Sequence, residues 1–310
     1  MRVATIDLGT NTVHLLVADA SPGARAWKTI EHDHQVTRLG EGLAATGRLG
    51  EAPAGRTAAV VSAYVARAAS VRADRILIVA TSAVREAGNG ADFAAALQKA
   101  TGQPVRVISG AEEARLTLRG VMHGLGEGGA TFVTFDIGGG STEYVLAREG
   151  RVAASVSLRL GVVALAERFP FPDGVERARY ATLTAEVRAR LSAEVPAAIR
   201  EAGVRVVGTA GTVTTLAALD LGLSAYDPDR VHGHRLHREA VERWRERLGA
   251  LTLAERGALP CLEPGRADLI IPGTAIVIET MACLAADVLT VSEYALREGV
   301  LADALDTACH

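Results

Sequence analysis

The segment FDIGGGSTEYVL, residues 135–146, places Asp136 at the end of an apolar run, followed by three glycines, two hydroxyl residues and Glu143. Glycine backbone can adopt positive φ and bring its N–H groups close to a ligand, which suits phosphate oxygens. Carboxylates do not bind an anion directly, so the two acids fit beside phosphate only with a hard cation such as Mg²⁺ between the charges. The segment therefore predicts a phosphate loop with a divalent cation.

A second segment near the amino terminus has the same pattern. TIDLGTNTVHLLV, residues 5–17, aligns with residues 134–146 when Asp7 is matched to Asp136. Both segments run from an apolar strand through a Gly, Thr or Asn turn into another apolar strand, the pattern of a β-hairpin. The likeness indicates an internal duplication, in which two domains each present a phosphate hairpin to a shared cleft. Two unrelated hairpins with similar turns are the alternative.

The segment VISGAEEARL, residues 107–116, has the pattern of a helix start. Ser109 and Glu112 fit a capping box, which gives Glu112 a structural role. Glu113 lies about 100° further around the helix and has no such local role. The first turn of a helix stabilises negative charge, so we expect Glu113 to stay ionised and able to accept a proton from water. The alternative is that both glutamates simply favour the first turn.

Arginine side chains could bind a terminal phosphate. Arg85 follows a strand and lies early in a helix, and its planar guanidinium can make paired bonds to phosphate oxygens. A surface ion pair of Arg85 with Glu86 or Glu112 is an equally compatible reading. Arg38, in TRLGEGL, is a weaker candidate of the same kind.

Two further segments invite a functional reading. GTAGTVTT, residues 208–215, matches neither a P-loop nor GxGxxG, but it connects a strand to a helix. The amides near Gly211 and Thr212 would then point out of the helix N-terminus at an anion, and a tight structural turn is the alternative. HGHRLH contains His232, His234 and His237, but its spacing fits no zinc motif and nearby arginines would repel a cation, so we expect a solvated segment.

Composition limits the class of protein. A chain of 310 residues, 49% hydrophobic and 22% charged, can form about two globular domains. A net charge of −3 and a pI near 6.3 argue against a nucleic-acid binder. Three widely separated cysteines favour a reduced, cytoplasmic setting. The sequence has no signal-peptide pattern and no apolar segment near the ~20 residues of a membrane helix.

The remaining segments alternate between helical and strand patterns. The spacing predicts a helix over 52–73, a helix that ends at Gly102, and helical structure over 175–202 that Pro196 interrupts. A short strand is predicted around 268–272. Such alternation implies an α/β chain with mixed sheets and helices packed against them.

In this order, the segments resemble the exopolyphosphatase and guanosine pentaphosphate phosphatase (Ppx/GppA) family, within the acetate and sugar kinase, Hsp70 and actin superfamily. The resemblance is carried by DLGTNTVHLLV, TRLGEGL, TSAVREA, ISGAEEARL, FDIGGGSTE, GTAGTVTTLAAL, RADLIIPG and SEYALREGVL. It implies an α/β fold of two ribonuclease-H-like domains with an interdomain cleft. The implied domains are 1–118, onto which the final helix at about 297–310 can pack back, and 119–296. Longer members carry an additional C-terminal HD-type domain, which we do not expect here because the resemblance ends with the second ribonuclease-H-like domain.

The resemblance also implies roles for individual residues. Glu113 would activate water, and Asp136 and Glu143 would hold Mg²⁺ or Mn²⁺, with Asp7 nearby. Arg85 would act with them, and Arg38 remains a weaker candidate. The implied phosphate contacts come from three loops: Thr10, Asn11 and Thr12; Gly138, Gly139, Gly140 and Ser141; and Thr209, Gly211 and Thr212.

The predicted function is metal-dependent hydrolysis of the terminal phosphoanhydride of inorganic polyphosphate, releasing orthophosphate. Guanosine pentaphosphate is the rival substrate for the same chemistry. An ATP-dependent kinase and a non-catalytic phosphate-chain sensor are alternatives of other classes. No nucleic-acid or membrane partner is expected, and a homodimer is an expectation from the family alone.

Overall fold

The computed structural model describes residues 1–21, 26–126 and 129–307. Contacts divide the chain into two units, of which the first is Met1–His123 with Tyr294–His310 and the second is Gly124–Glu293. Each unit is built on one mixed β-sheet with helices packed against it, so the predicted α/β class is confirmed.

The first unit contains a five-stranded sheet. Its strands are β1 Arg2–Leu8, β2 Thr12–Asp19, β3 Lys28–Val36, β4 Arg75–Ala80 and β5 Val105–Val107. Their order is β3-β2-β1-β4-β5, with β1 antiparallel to β2 and parallel to β4. The helices in this stretch of the chain are α1 Leu43–Thr46, α2 Glu51–Ser70, α3 Ser82–Glu86, α4 Gly90–Thr101 and α5 Gly110–Leu125.

The second unit contains a six-stranded sheet. Its strands are β6 Phe132–Ile137, β7 Thr142–Arg148, β8 Arg151–Leu158, β9 Arg205–Thr209, β10 Arg235–His237 and β11 Val288–Ser292, in the order β10-β11-β9-β6-β7-β8. Its helices are α6 Val162–Arg168, α7 Arg177–Glu194, α8 Ala197–Arg200, α9 Gly211–Asp220, α10 Pro228–Val231, α11 Arg238–Gly249, α12 Leu253–Gly257 and α13 Ile270–Cys283. The last helix, α14 Leu296–Thr307, belongs to the first unit. No helix in the described residues is long and apolar enough to cross a membrane.

Apolar packing on both faces fixes β1, the strand that leads into the amino-terminal hairpin. Ile6 lies in a core with Tyr64 of α2 and Leu97 of α4, whereas Val3 lies in a core with Leu301 of α14. Side chains alternate between the two faces of a strand, so one strand can supply both cores. Burial on both faces holds the carboxyl end of β1 in place, where the hairpin turn begins.

Local signals for helix ends are confirmed, and one strand prediction is wrong. Gly102 ends α4 with a left-handed φ of 67°, and Pro196 separates α7 from α8. Residues 268–272 form no strand, because Ile270 begins α13. The run LIIPG is too short to separate a strand from a buried helix by periodicity, and Pro272 is tolerated in the first helical turn, where few N–H groups are bonded.

Candidate active site

The glycine loop of the second unit is a hairpin turn with a fixed peptide orientation. Gly138 N–H donates to Ser141 O at 2.9 Å and closes the turn between β6 and β7. The first amides of α6 donate to Gly138 O (3.2 Å) and Gly139 O (2.9 Å). In a trans peptide the C=O and the next N–H point in opposite directions. The N–H groups of Gly139 and Gly140 therefore point away from α6, as a phosphate cradle requires.

The amino-terminal hairpin reproduces this geometry with different support. Gly9 N–H donates to Thr12 O at 3.0 Å, the counterpart of the bond that closes the second hairpin. Residues 37–40 run beside the loop, where Gly40 N–H donates to Thr10 O at 2.8 Å and the amides of residues 37 and 38 donate to Asn11 O at 2.9 Å. By the same trans-peptide argument, the N–H groups of Asn11 and Thr12 point away from the segment 37–40. Both sequence-predicted hairpins are present.

Arg38 supports this loop through its backbone. Its φ is 52°, in the left-handed region that non-glycine residues rarely adopt, and its N–H is one of the two that bind Asn11 O. A backbone role for Arg38 is thus visible, and the predicted phosphate contact of its side chain stays a prediction.

Two acids stand side by side in the second unit. Asp136 and Glu143 are direct partners across the antiparallel β6–β7 pair, so their side chains lie on the same face of the sheet. Glu143 is buried, and Ser157 Oγ donates to its Oε1 at 2.6 Å. Asp7 lies at the equivalent place in the first unit, opposite His14 across β1–β2.

The donor set of this pair fits a hard cation. Two adjacent carboxylates match Mg²⁺, which binds through one or two carboxylates and keeps waters and substrate phosphates as its other ligands. Among the described residues, no group of three or more His, Cys, Asp or Glu side chains is arranged to hold a metal by itself.

Buried Glu113 and half-buried Arg85 form an ion pair in the first unit. Arg85 Nη1 lies 2.8 Å from Glu113 Oε2 and also donates to Ile108 O at 2.9 Å. Glu113 is only 8% exposed, and Arg85 Nε lies 3.4 Å from Glu86 Oε1. The helix start of α5 and the short helix α3 thus bring together a base candidate and a guanidinium that are 28 residues apart in sequence.

The surroundings of Glu113 correct the expectation drawn from its helix position. Burial raises the pKa of the Glu113 carboxyl; its bond to Arg85 lowers that pKa, and the nearby Glu86 charge raises it. Burial is the largest of these causes, and the net effect is a raised pKa, which opposes ionisation. A carboxylate with a raised pKa is a better proton acceptor near neutral pH.

The neighbouring Glu112 has the structural surroundings that its position predicted. Ser109 Oγ accepts a hydrogen bond from Glu112 N–H at 3.2 Å, the N-cap half of the capping box. The Glu112 carboxylate lies 3.4 Å from Arg106 Nη2 on the surface. Arg85 therefore pairs with Glu86 and Glu113, and the alternative pair with Glu112 is wrong.

The third loop leads into α9, and an arginine missed by the sequence analysis lies over it. A Cβ built on Gly211, the first residue of α9, would stand 1.5 Å from Arg266 Nη1. Arg266 is itself held by Glu263 at 2.8 Å. A guanidinium beside the positive end of a helix forms a site that favours an anion. The RADLIIPG motif contains this residue, but no local pattern predicts its position beside α9.

The side chains of this third loop have structural roles as well. Thr209 Oγ1 donates to Ser292 O at 2.8 Å, which ties the end of β9 to β11. Thr212 is buried, and a Cβ built on Gly273 would lie only 2.3 Å from its hydroxyl oxygen, so the Thr212 side chain packs against the Gly273 backbone. Phosphate contact from this loop would therefore come from backbone amides, with the Thr209 hydroxyl already engaged.

The histidine segment is more ordered than predicted. His232 Nε2 lies 3.0 Å from Gly124 O, and His232 Nδ1 accepts from Glu293 N–H at 3.3 Å. His234 Nε2 lies 3.0 Å from Asp220 Oδ2, whereas His237 is exposed. The expectation of a fully solvated segment is wrong for His232 and His234, because their rings are half-buried and bonded to neighbouring elements.

These features define a class of protein. Two mixed sheets, each with an antiparallel hairpin that carries an acid and a tight loop, form the two-domain α/β fold of the actin, Hsp70 and sugar kinase superfamily. To this fold the first unit adds the buried Glu113 carboxylate, paired with the half-buried Arg85 guanidinium.

The chain belongs to the Ppx/GppA phosphatase family, whose sequence profile matches residues 16–308. Exopolyphosphatase 2 of Mycobacterium tuberculosis is 38% identical, with 96% of this chain and 97% of that protein covered. The Aquifex aeolicus family member has a TM-score of 0.84 at 32% identity, covering 100% and 99% of the two chains. An exopolyphosphatase from Cytophaga hutchinsonii has a TM-score of 0.89 at 25% identity, covering 99% and 98%. The predicted family is confirmed, and the chain is a phosphoanhydride hydrolase.

Proposed function

We propose that the chain is an exopolyphosphatase that removes the terminal phosphate of inorganic polyphosphate and releases orthophosphate. The observation that carries the proposal is the buried Glu113 carboxylate with a raised pKa, bonded to Arg85 at 2.8 Å. Family membership supports phosphatase chemistry, and relatives named exopolyphosphatase support polyphosphate as the substrate. The oriented loop amides of both units suit a substrate that consists of phosphate groups alone.

The proposed reaction is a single displacement at the terminal phosphorus. Glu113 accepts a proton from water, the water oxygen forms a bond to phosphorus, and the bond to the bridging oxygen breaks. The products are orthophosphate and a chain shorter by one phosphate. Arg85 holds the terminal group beside Glu113, because phosphoryl transfer through a loose transition state is promoted mainly by positioning and electrostatics.

A divalent cation, Mg²⁺ or Mn²⁺, belongs to this proposal. Asp136 and Glu143, which face each other across the β6–β7 pair, would hold it. When bound, the cation would neutralise charge on the phosphate oxygens. The half-buried Ser157–Glu143 bond of 2.6 Å supports the assignment, since it fixes the direction of one carboxylate in advance.

The proposed metal assignment can be tested by a titration. Asp136→Asn and Glu143→Gln each remove one carboxylate charge and leave the loop amides in place. We expect the half-saturating Mg²⁺ concentration to rise about tenfold or more in each variant. An unchanged Mg²⁺ response in both would contradict the assignment.

Guanosine pentaphosphate is the rival substrate, and the two differ only in the leaving group. Purified protein with Mg²⁺ should be given polyphosphate, guanosine pentaphosphate and ATP in parallel, with released orthophosphate measured over time. The proposal predicts the highest kcat/KM for polyphosphate, with Glu113→Gln as the background control. A higher kcat/KM for guanosine pentaphosphate would show that this nucleotide is the substrate instead. Formation of ADP that requires an acceptor would indicate a kinase.

A further inference from the structure

Glu86 is an acidic residue of the site to which neither the motifs nor the family resemblance give a role. It is the last residue of α3, directly after Arg85, and its side chain is 19% exposed. Its Oε1 lies 3.4 Å from Arg85 Nε, on the opposite edge of the guanidinium from the Glu113 contact. The guanidinium is planar and rigid, so contacts on two edges fix both its position and its rotation.

The backbone around Glu86 is also held tightly. Arg85 N–H donates to Thr81 O at 3.0 Å within α3. A Cβ on Gly90, at the start of α4, would stand 1.8 Å from Val84 O, so the two helices are in backbone contact. This packing leaves α3 little freedom to shift. Contacts with Ile108 O, Glu113 and Glu86 then help to set the direction of the Arg85 side chain.

We propose that Glu86 is a positioning residue for the hydrolysis, holding the Nε edge of Arg85 so that Nη1 stays directed at Ile108 O and Glu113. The proposal rests on the exopolyphosphatase function proposed above, because it assigns Glu86 a task in the same site. Glu86 touches neither water nor substrate in this role and acts through Arg85 and Glu113.

The charge balance of the trio supports the assignment. One guanidinium is shared by two carboxylates, so Arg85 cannot fully compensate Glu113. Burial raises the pKa of Glu113, the Arg85 bond lowers it, and the Glu86 charge raises it. Glu86 thus keeps Glu113 a stronger proton acceptor than the Arg85 pair alone would allow. An ion pair on the surface without function would neither orient Arg85 nor raise the pKa of Glu113.

Two substitutions separate charge from shape. Glu86→Gln keeps the length and an oxygen acceptor for Arg85 Nε but removes the charge. We therefore expect the pKa of Glu113 to fall, the acidic limb of the pH-rate profile to move to lower pH, and kcat to decrease about tenfold at neutral pH. Glu86→Asp keeps the charge but shortens the reach, so the acidic limb should stay near that of the wild type while kcat falls.

The titration of Glu113 can be followed without any substrate. In protein labelled with ¹³C at the glutamate carboxyl carbons, the resonance of Glu113 is the one that disappears in Glu113→Gln. Its titration midpoint should be lower in Glu86→Gln than in the wild type. Glu112→Gln is the matched control, since it makes the same chemical change at the neighbouring helix position, where the carboxylate pairs with Arg106. The titration midpoint of Glu113 in this control should equal that in the wild type.

The outcomes distinguish this inference from the proposed function. An unchanged Glu113 midpoint in a folded Glu86→Gln variant overturns the role of Glu86, whatever the substrate proves to be. Should Glu86→Gln fail to fold, an unchanged kcat in Glu86→Asp overturns it instead. Absence of orthophosphate release by the wild type overturns only the exopolyphosphatase proposal, and the carboxyl titration still decides whether Glu86 acts on Glu113.

Discussion

Replacing Glu113 by glutamine should remove most turnover and leave the fold intact. Glutamine retains an oxygen that can accept the 2.8 Å bond from Arg85 Nη1, but an amide does not take a proton from water. We expect kcat to fall by roughly 10²–10⁴, or about 3–5 kcal/mol of activation free energy. Substrate binding should change little, because the loop amides remain in place.

The same substitution makes a prediction for stability against pH. The pKa of Glu113 is raised in the folded state, so this carboxyl binds its proton more tightly in the folded protein than in the unfolded chain. The stability that this group contributes is fully present below its ordinary pKa and is lost as pH rises through the raised value. Glu113→Gln has no such loss. The unfolding free energy of the variant, relative to the wild type, should therefore increase with pH across this window.

Steady-state kinetics and denaturant unfolding at several pH values test both parts. Glu112→Gln is the matched control, because it removes a partly exposed charge whose pair with Arg106 is worth about 0–1 kcal/mol. It should keep near wild-type turnover. A variant at position 113 with kcat within a few-fold of the wild type, or a larger loss at position 112, would refute Glu113 as the base.

Two other substitutions test the second unit. Gly211→Ala places a Cβ 1.5 Å from Arg266 Nη1, and since a side-chain end can move, we expect KM to rise roughly tenfold with little change in melting temperature. A lower melting temperature with unchanged KM would refute an anion site there. His232→Phe removes bonds at 3.0 and 3.3 Å and should lower the unfolding free energy by about 1–3 kcal/mol, whereas exposed His237→Gln should not, as denaturant titration would show.

The hairpins and helix ends could be predicted because their signals are local. Each hairpin has its acid, turn residues and flanking strands within about a dozen positions, and Gly102 ends its helix by a conformation that glycine favours. Strand β3, by contrast, has no such signal. Its sequence KTIEHDHQV is mostly polar, because it forms an edge strand that is largely exposed.

The site could be predicted residue by residue only in part. The Arg85–Glu113 bond joins positions 28 apart, and the contact of Arg266 with Gly211 joins positions in separate helices. Both depend on how elements pack, which no local pattern records. The pKa of Glu113 illustrates the same limit, because the helix start predicts easier ionisation and burial, visible only in the fold, opposes it.

The two hairpins reach the same loop geometry by different means, which bears on how the site works. In the second unit, amides of α6 bind the loop carbonyls, and in the first unit the amides of residues 37–40 do so. In both, a trans peptide then turns the following N–H groups the opposite way. Besides the acid at the end of the first strand, what the two hairpins share is the arrangement of their loop amides. Backbone N–H groups fixed in this way suit phosphate oxygens, and under the function proposed above each hairpin would bind phosphate without side-chain recognition of a base or sugar.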